Sequence, residues 1–280
     1  MSLAAKALWI IERNSDQTLS LGELARACGV SRSHLAHAFG SATGLSAMKY
    51  LRGRRLSRAA EALAGGAPDI LSVALDAGYN SHEAFTRAFR DRFDMTPESL
   101  RERGRVDGLP LTTPVEIKTG EAQPRLRPRF EQYGQMQVVG LSARYSFENT
   151  IGIPAQWQRF MALRDDIPYQ AEDIPIGVAQ IPDEEGQFPY LCGIEVAGFG
   201  DVPSGLESAV VAACRYAVFE HNGHVSGIYD TYARIWNEAL PEAGCVVAEA
   251  PLIERHNATF DPSTGEGGLT LWIPLATRND

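Results

Sequence analysis

The sequence predicts two modules of different class. An all-α double helix-turn-helix comes first, followed by an α+β module of duplicated strand-helix-strand-strand units on a twisted antiparallel sheet. Three observations predict this. The stretch 74–93, ALDAGYNSHEAFTRAFRDRF, reads as two short helices about a glycine. A second stretch beginning at Ser20 repeats the pattern. Beyond Phe130 the apolar residues alternate, then take helical spacing, then alternate again, and the cycle runs twice.

In chain order, Leu3, Ala7, Leu8, Ile10 and Ile11 predict a first amphipathic helix over 3–14. The segment turns polar by Glu12 and has no cleavage pattern, so it reads as fold rather than signal peptide. Ala25 and Gly29 match Ala74 and Gly78 at an offset of 49, while Ser31, Leu35 and Phe39 match Ser81, Phe85 and Phe89 at 50. In each copy an alanine fits where helices cross, a glycine permits positive φ, and a serine can N-cap the next helix. One such copy could be an ordinary αα-hairpin; two copies argue for a DNA-reading device. Between them Met48, Leu51, Leu56, Ala59, Ala60 and Leu63 predict one long helix ended by Gly65-Gly66. Its Lys49, Arg52, Arg54, Arg55 and Arg58 form either a phosphate-contacting or a solvated face. A last short helix starts at Pro97.

The net charge of −9 is unevenly divided, +4 through Val106 and −13 beyond. A basic module joined to an acidic one fits two different partners. The acidic residues Glu172, Asp173, Asp183, Glu184, Glu185 and Glu266 read as solvated loops that keep the second module off DNA. No apolar run suffices for a membrane span, so no membrane partner is expected. Cys28, Cys192, Cys214 and Cys245 are scattered, which argues against a zinc site or disulfide framework and for cytoplasmic thiols. No triad, phosphate loop or His/Asp/Glu cluster is present, so no catalytic residue, cofactor or metal is expected.

Residues 1–105 resemble the DNA-binding module of the AraC/XylS family of bacterial transcription regulators. The residues that carry the likeness are Ala74, Gly78, Tyr79, Ser81, Phe85, Arg87, Phe89, Arg90, Phe93 and Pro97, with the upstream SLGELARACGVS. The resemblance implies double-stranded DNA as partner, with two reading helices in successive major grooves about 34 Å apart, and RNA polymerase as a further partner. By position the DNA-contacting candidates are Arg32, Ser33, Ala36 and His37 in the first reading helix. In the second they are His82, Glu83, Thr86, Arg87 and Arg90. Arg87 suits guanine, with a phosphate contact as the alternative, and Glu83 suits cytosine N4. Ala36 stands where family members often carry a larger hydrogen-bonding residue. Either Arg32 substitutes there, or that half only holds the backbone. His34 reads as structural. Duplex gripping by both copies requires both reading helices to be exposed on one side.

Residues 106–126 read as a linker; the stretch 106–129, with four prolines, becomes a strand near Val115 or Arg129. In the second module, 127–280, the expected order is strand QVVGLSARYSF, helix PAQWQRFMALR, and a hairpin of IPIGVAQIP with FPYLCGIEVAGF. Strand CRYAVFEH, helix HVSGIYDTYARIWNEAL, and strands CVVAEAPLIERHNAT and GLTLWIPLA complete the second cycle. Two such halves related by a pseudo-twofold would leave a cleft between them.

This module resembles the GyrI-like effector-binding domain of the SOUL superfamily, through IGVAQIPDEEGQFPYLCGIEV, YAVFEHNG, YARIWNEALPEAG and PLIERHN. Relatives bind lipophilic, often cationic, small molecules against a glutamate between aromatic walls, and Glu254 takes that position, with His256 where an aromatic often stands. Trp157 and Tyr190 are the aromatics expected to line the site; Trp236 and Trp272 are assigned to the core. The expected function is a cytoplasmic transcription regulator answering to a small-molecule effector. The alternative makes the second module a hydrolase with Glu254 as general acid or base. A third reading is a constitutive DNA binder whose second module docks a protein.

Overall fold

The computed structural model describes residues 1–14, 19–117, 124–261 and 264–276. Part of the expected linker (118–123) and two residues of the last expected turn (262–263) lie outside the described residues.

The first module is helical: α1 (Leu3–Arg13), α2 (Leu21–Cys28), α3 (Arg32–Thr43), α4 (Ala47–Ala64), α5 (Ile70–Asp76), α6 (His82–Phe93) and α7 (Pro97–Arg103). The starts are written in the sequence. Ser20 and Glu23 make a reciprocal capping box on α2, and Ser31, Ser46 and Ser81 each accept a backbone N–H three residues on. The repeat is visible in the backbone. Gly29 and Gly78 sit at φ 80° and 79°, and the next residue's N–H returns to Ala25 O in one copy and Ala74 O in the other.

The two copies pack in different cores, Leu24, Leu35 and Phe39 in one and Phe85, Phe89 and Phe93 in the other. Helix α4 serves both, giving Tyr50 and Leu51 to one and Leu56, Ala60 and Leu63 to the other. The segment after α7 lies along α4. Thr112 N–H donates to Ser57 Oγ at 2.8 Å, and Arg54 donates to Thr112 O at 2.7 Å. Gly53 permits this approach, since a Cβ there would stand 2.3 Å from Thr112 Oγ1.

The second module contains β1 (Arg129–Tyr133), β2 (Met136–Ser146), α8 (Ile153–Met161), β3 (Gln170–Ala179) and β4 (Gln187–Val196). The second half follows with β5 (Glu207–Val211), β6 (Cys214–His221), α9 (Ile228–Arg234), β7 (Leu252–His256) and β8 (Leu269–Leu275). Helix α9 continues without a break through a π-helical turn, Ile235–Ala239, into Leu240–Glu242. All strands join one curled antiparallel sheet in the order β1-β6-β8-β7-β3-β4-β2-β5.

That order reads symmetrically outward from the β3–β7 seam. Each half is strand-strand-helix-strand-strand. Strand β1 starts at Arg129, one of the two places expected for an entering strand, while β5 is one strand more than the sequence suggests. Each leading strand pairs with the other half: β1 with β6, β5 with β2. Only five residues long, β5 offered too few alternations to read. The strand expected from Cys245 starts instead at Leu252, with a lone bridge from Val247 to Leu275 before it. The helix-covered face of the sheet joins the core of the first helix-turn-helix in one apolar cluster, while Trp272, Tyr216 and Ile253 pack on the outer face.

Candidate effector site and DNA-reading helices

Glu254 lies on β7 at the seam, directly opposite Gly177 of β3. Strand alternation turns it to the helix-covered face, with Arg255 on the other. Its carboxylate accepts two phenol hydrogen bonds, from Tyr190 on β4 at 2.5 Å and from Tyr232 on α9 at 2.6 Å. One phenol comes from each half. Tyr190 also accepts from Trp157 Nε1–H at 3.2 Å, so α8 is tied into the same chain. The Trp157 ring lies 4.5 Å from that of His256, which stacks on Phe260 at 4.0 Å. Gly177 makes this possible, because a Cβ there would stand 2.3 Å from Tyr190 Oη and 3.1 Å from a Glu254 oxygen.

Burial raises the Glu254 pKa, and the Tyr190 and Tyr232 hydrogen bonds pull it back. Among the described residues no lysine or arginine forms an ion pair with it. Arg255 points its guanidinium to the outer face instead, over Tyr133 and Trp272, and pairs with Glu172. The site is therefore a carboxylate in an aromatic setting that, among the described residues, has no paired lysine or arginine, with only His221 adding an electrostatic pull. Burial also depresses His256, to about 4, leaving it neutral beside Trp157 at physiological pH.

Trp157, Tyr190 and Glu254 thus come together as one connected group. Two members escaped the sequence reading. Tyr232 sits at helical spacing with Ile228, Ile235 and Trp236, a pattern that by itself signals only packing, and Gly177 is a strand glycine whose signal is the close approach it allows. A cavity of about 440 Å³ opens elsewhere, beside Cys214, Arg215, Glu249 and Leu275, away from these groups.

The two reading helices differ sharply. On α6, Glu83, Arg87 and Arg90 are exposed, His82 and Thr86 are partly buried, and His82 contacts Glu98 at 3.2 Å. On α3, Arg32 is exposed, but Ser33, His34 and Ala36 are buried. Their cover is α9 and its continuation. His37 stacks on Trp236 at 4.5 Å and 7°, and His34 Nε2–H donates to Trp236 O at 2.8 Å. Asn237 accepts from Ala4 N–H and donates to Ala38 O, gripping α1 and α3 together. Burial drives His37 down to about 3.

Ser33, Ala36 and His37 therefore face the second module in this conformation, and the two reading helices are not both open to a duplex. His34 is structural, as read. Trp236 is core, though of a junction between modules. The basic face of α4 is also engaged. Lys49 pairs with Glu148 and Arg52 with Glu185, while Arg54 and Arg58 pair with Glu12. Glu185 accordingly meets the first module rather than only solvent.

Residues 127–276 match the model of the GyrI-like small molecule binding domain. The chain belongs to that family. Ahead of the GyrI-like domain, residues 24–103 match a helix-turn-helix domain. The chain is 24% identical to the transcriptional regulator Rob of Salmonella typhimurium over 275 residues, 94% of this chain and 93% of that protein. It is 26% identical to the right origin-binding protein of Escherichia coli over 279 residues, 96% and 94% of the two chains. It is also 37% identical to the regulatory protein SoxS of Salmonella typhimurium over 93 residues, 33% of this chain and 87% of that one. The order of an AraC-type helix-turn-helix module before a GyrI-like domain is that of Rob, and the protein is a DNA-binding transcription regulator. No described helix is long and apolar enough to cross a membrane.

Proposed function

We propose that this regulator, acting in the cytoplasm, senses a small lipophilic cation held against Glu254 between Trp157 and Tyr190. The observation that carries the reading is a carboxylate bracketed by two phenols at the seam of the halves, with no lysine or arginine among the described residues paired to it. A ligand cation supplies the missing charge, and each aromatic face adds about 0.5–2 kcal/mol of cation–π attraction. We take residues 1–105 as the DNA-binding unit, 106–126 as the connection and 127–280 as the sensor.

Helix α9 offers the route between them. It carries Tyr232 against Glu254 and, one turn further on, Trp236 and Asn237 against α3. A ligand that takes the carboxylate from Tyr232 moves the helix that grips the first helix-turn-helix, and so shifts the module presenting α6. Such a ligand acts only as far as it favours one arrangement over the other. RNA polymerase fits as the further partner of a regulator of this kind.

Titrating the full chain with tetraphenylphosphonium, read by tryptophan fluorescence, tests the reading. Saturable binding lost in Glu254→Gln supports it; no binding by the wild type, or equal binding by both, overturns it. Turnover of an ester probe that vanishes in Glu254→Gln would instead favour the hydrolase.

A further inference from the structure

The first reading helix does not offer DNA the surface that its counterpart offers. Its outward positions are small where a reader needs reach: Ser33, Ala36 and, one turn on, Gly40. Ser33 and Gly40 meet the GyrI-like domain, and Ala36 between them is buried. A Cβ at Gly40 would stand 2.4 Å from the Phe147 ring, so that ring occupies the space a longer residue would take. His37 lies flat on Trp236 and edge-on to Phe147.

The polar groups are matched as well. Glu249 accepts from Ser33 N–H at 3.3 Å, placing a carboxylate on the first turn of α3, where a DNA phosphate commonly docks. Ser46 donates to Glu184 O at 2.6 Å, and Lys49 and Arg52 pair with Glu148 and Glu185. Asn237 uses both ends of its amide on α1 and α3. The Asn237 bonds and the His34–Trp236 bond are buried, and satisfied buried polar groups are costly to open, whereas the ion pairs at the rim are exposed. The apolar core beneath it runs unbroken from Leu3 to Leu275 and includes Trp236. The second helix-turn-helix has a separate core, and its Glu83, Arg87 and Arg90 stay exposed.

We infer that the reading face of α3 has become the permanent docking surface of this chain's own GyrI-like domain, and that α6 alone reads bases. The chain then specifies one major-groove segment, not two a helical turn apart. The inference rests on α6 contacting DNA, and not on any ligand.

The test uses the full chain with Cys214→Ser and Cys245→Ser, carrying Lys49→Cys and Glu148→Cys joined by a short bismaleimide that locks the modules together. Bound duplexes are selected from random sequence before and after locking. The expected result is one block of fixed bases with unchanged affinity in both forms. Glu83→Ala or Arg87→Ala should alter that block, and Arg32→Ala, at an exposed position of α3, should leave it intact. Two blocks about ten base pairs apart, or binding lost on locking, would overturn the inference. Binding that survives but ignores both α6 substitutions would overturn its premise that α6 reads the bases.

Discussion

Glu254 and His37 are both titratable side chains taken out of water, and their protonation has opposite consequences. A cation binds the ionised form of Glu254. Because burial raises that pKa above 4.5, tetraphenylphosphonium affinity should fall on acidification from pH 7.5 to 5, and the Glu254→Gln variant should show a flat, weak response over the same range. Losing the charge should cost about 2 kcal/mol or more of binding.

His37 acts on stability instead. The unfolded chain takes up a proton near pH 6.5 that the folded protein refuses until about pH 3. Stability is therefore intact above 6.5 and declines as pH falls across that window. His34 and His256 are depressed by burial too and add the same sign. Thermal midpoints measured from pH 7 to 4 should drop less steeply in His37→Gln. At α6, Arg87→Ala should weaken binding to the selected site by about 1–3 kcal/mol. An equal loss on random DNA would assign it to a phosphate.

Among the elements, α9 carries the most. Trp236 is fully buried where α9 meets α3, and Trp236→Ala should cost about 3–5 kcal/mol in denaturant unfolding. If the junction were loosely packed, the loss would stay near that of a surface change. On β3, Gly177→Ala should displace Tyr190 from Glu254 and weaken the cation probe while far-ultraviolet circular dichroism stays unchanged. The elements themselves were largely legible. Capping serines, turn glycines and the change from helical to alternating spacing announce nearly all of them, because these signals are local. The repeat at offsets of 49 and 50 reappears as matched left-handed glycines. What stayed hidden is what depends on partners distant in sequence. Tyr232 and Gly177 meet Glu254 only when the two halves close. Ala36 stood out as too small to read a base, yet nothing near it in the chain says that Trp236, two hundred residues away, lies against its neighbour His37.

For the whole molecule, module and core do not coincide. The first helix-turn-helix shares its interior with the GyrI-like domain, and the second keeps its own, joined through α4. Amide hydrogen exchange should give α1–α3 the protection of the central strands, while α5–α7 open at a lower free energy as a separate unit. Equal protection of both helix-turn-helix units, with the sheet apart, would refute that partition. The crossed leading strands carry a last consequence. As β1 finishes the far half and β5 the near one, the halves are clasped rather than merely adjoining. A protease nick in the 197–206 connection would leave two fragments still knitted at both ends of the sheet. Expressed singly, either fragment would carry a raw strand edge with its natural cover missing, and would clump.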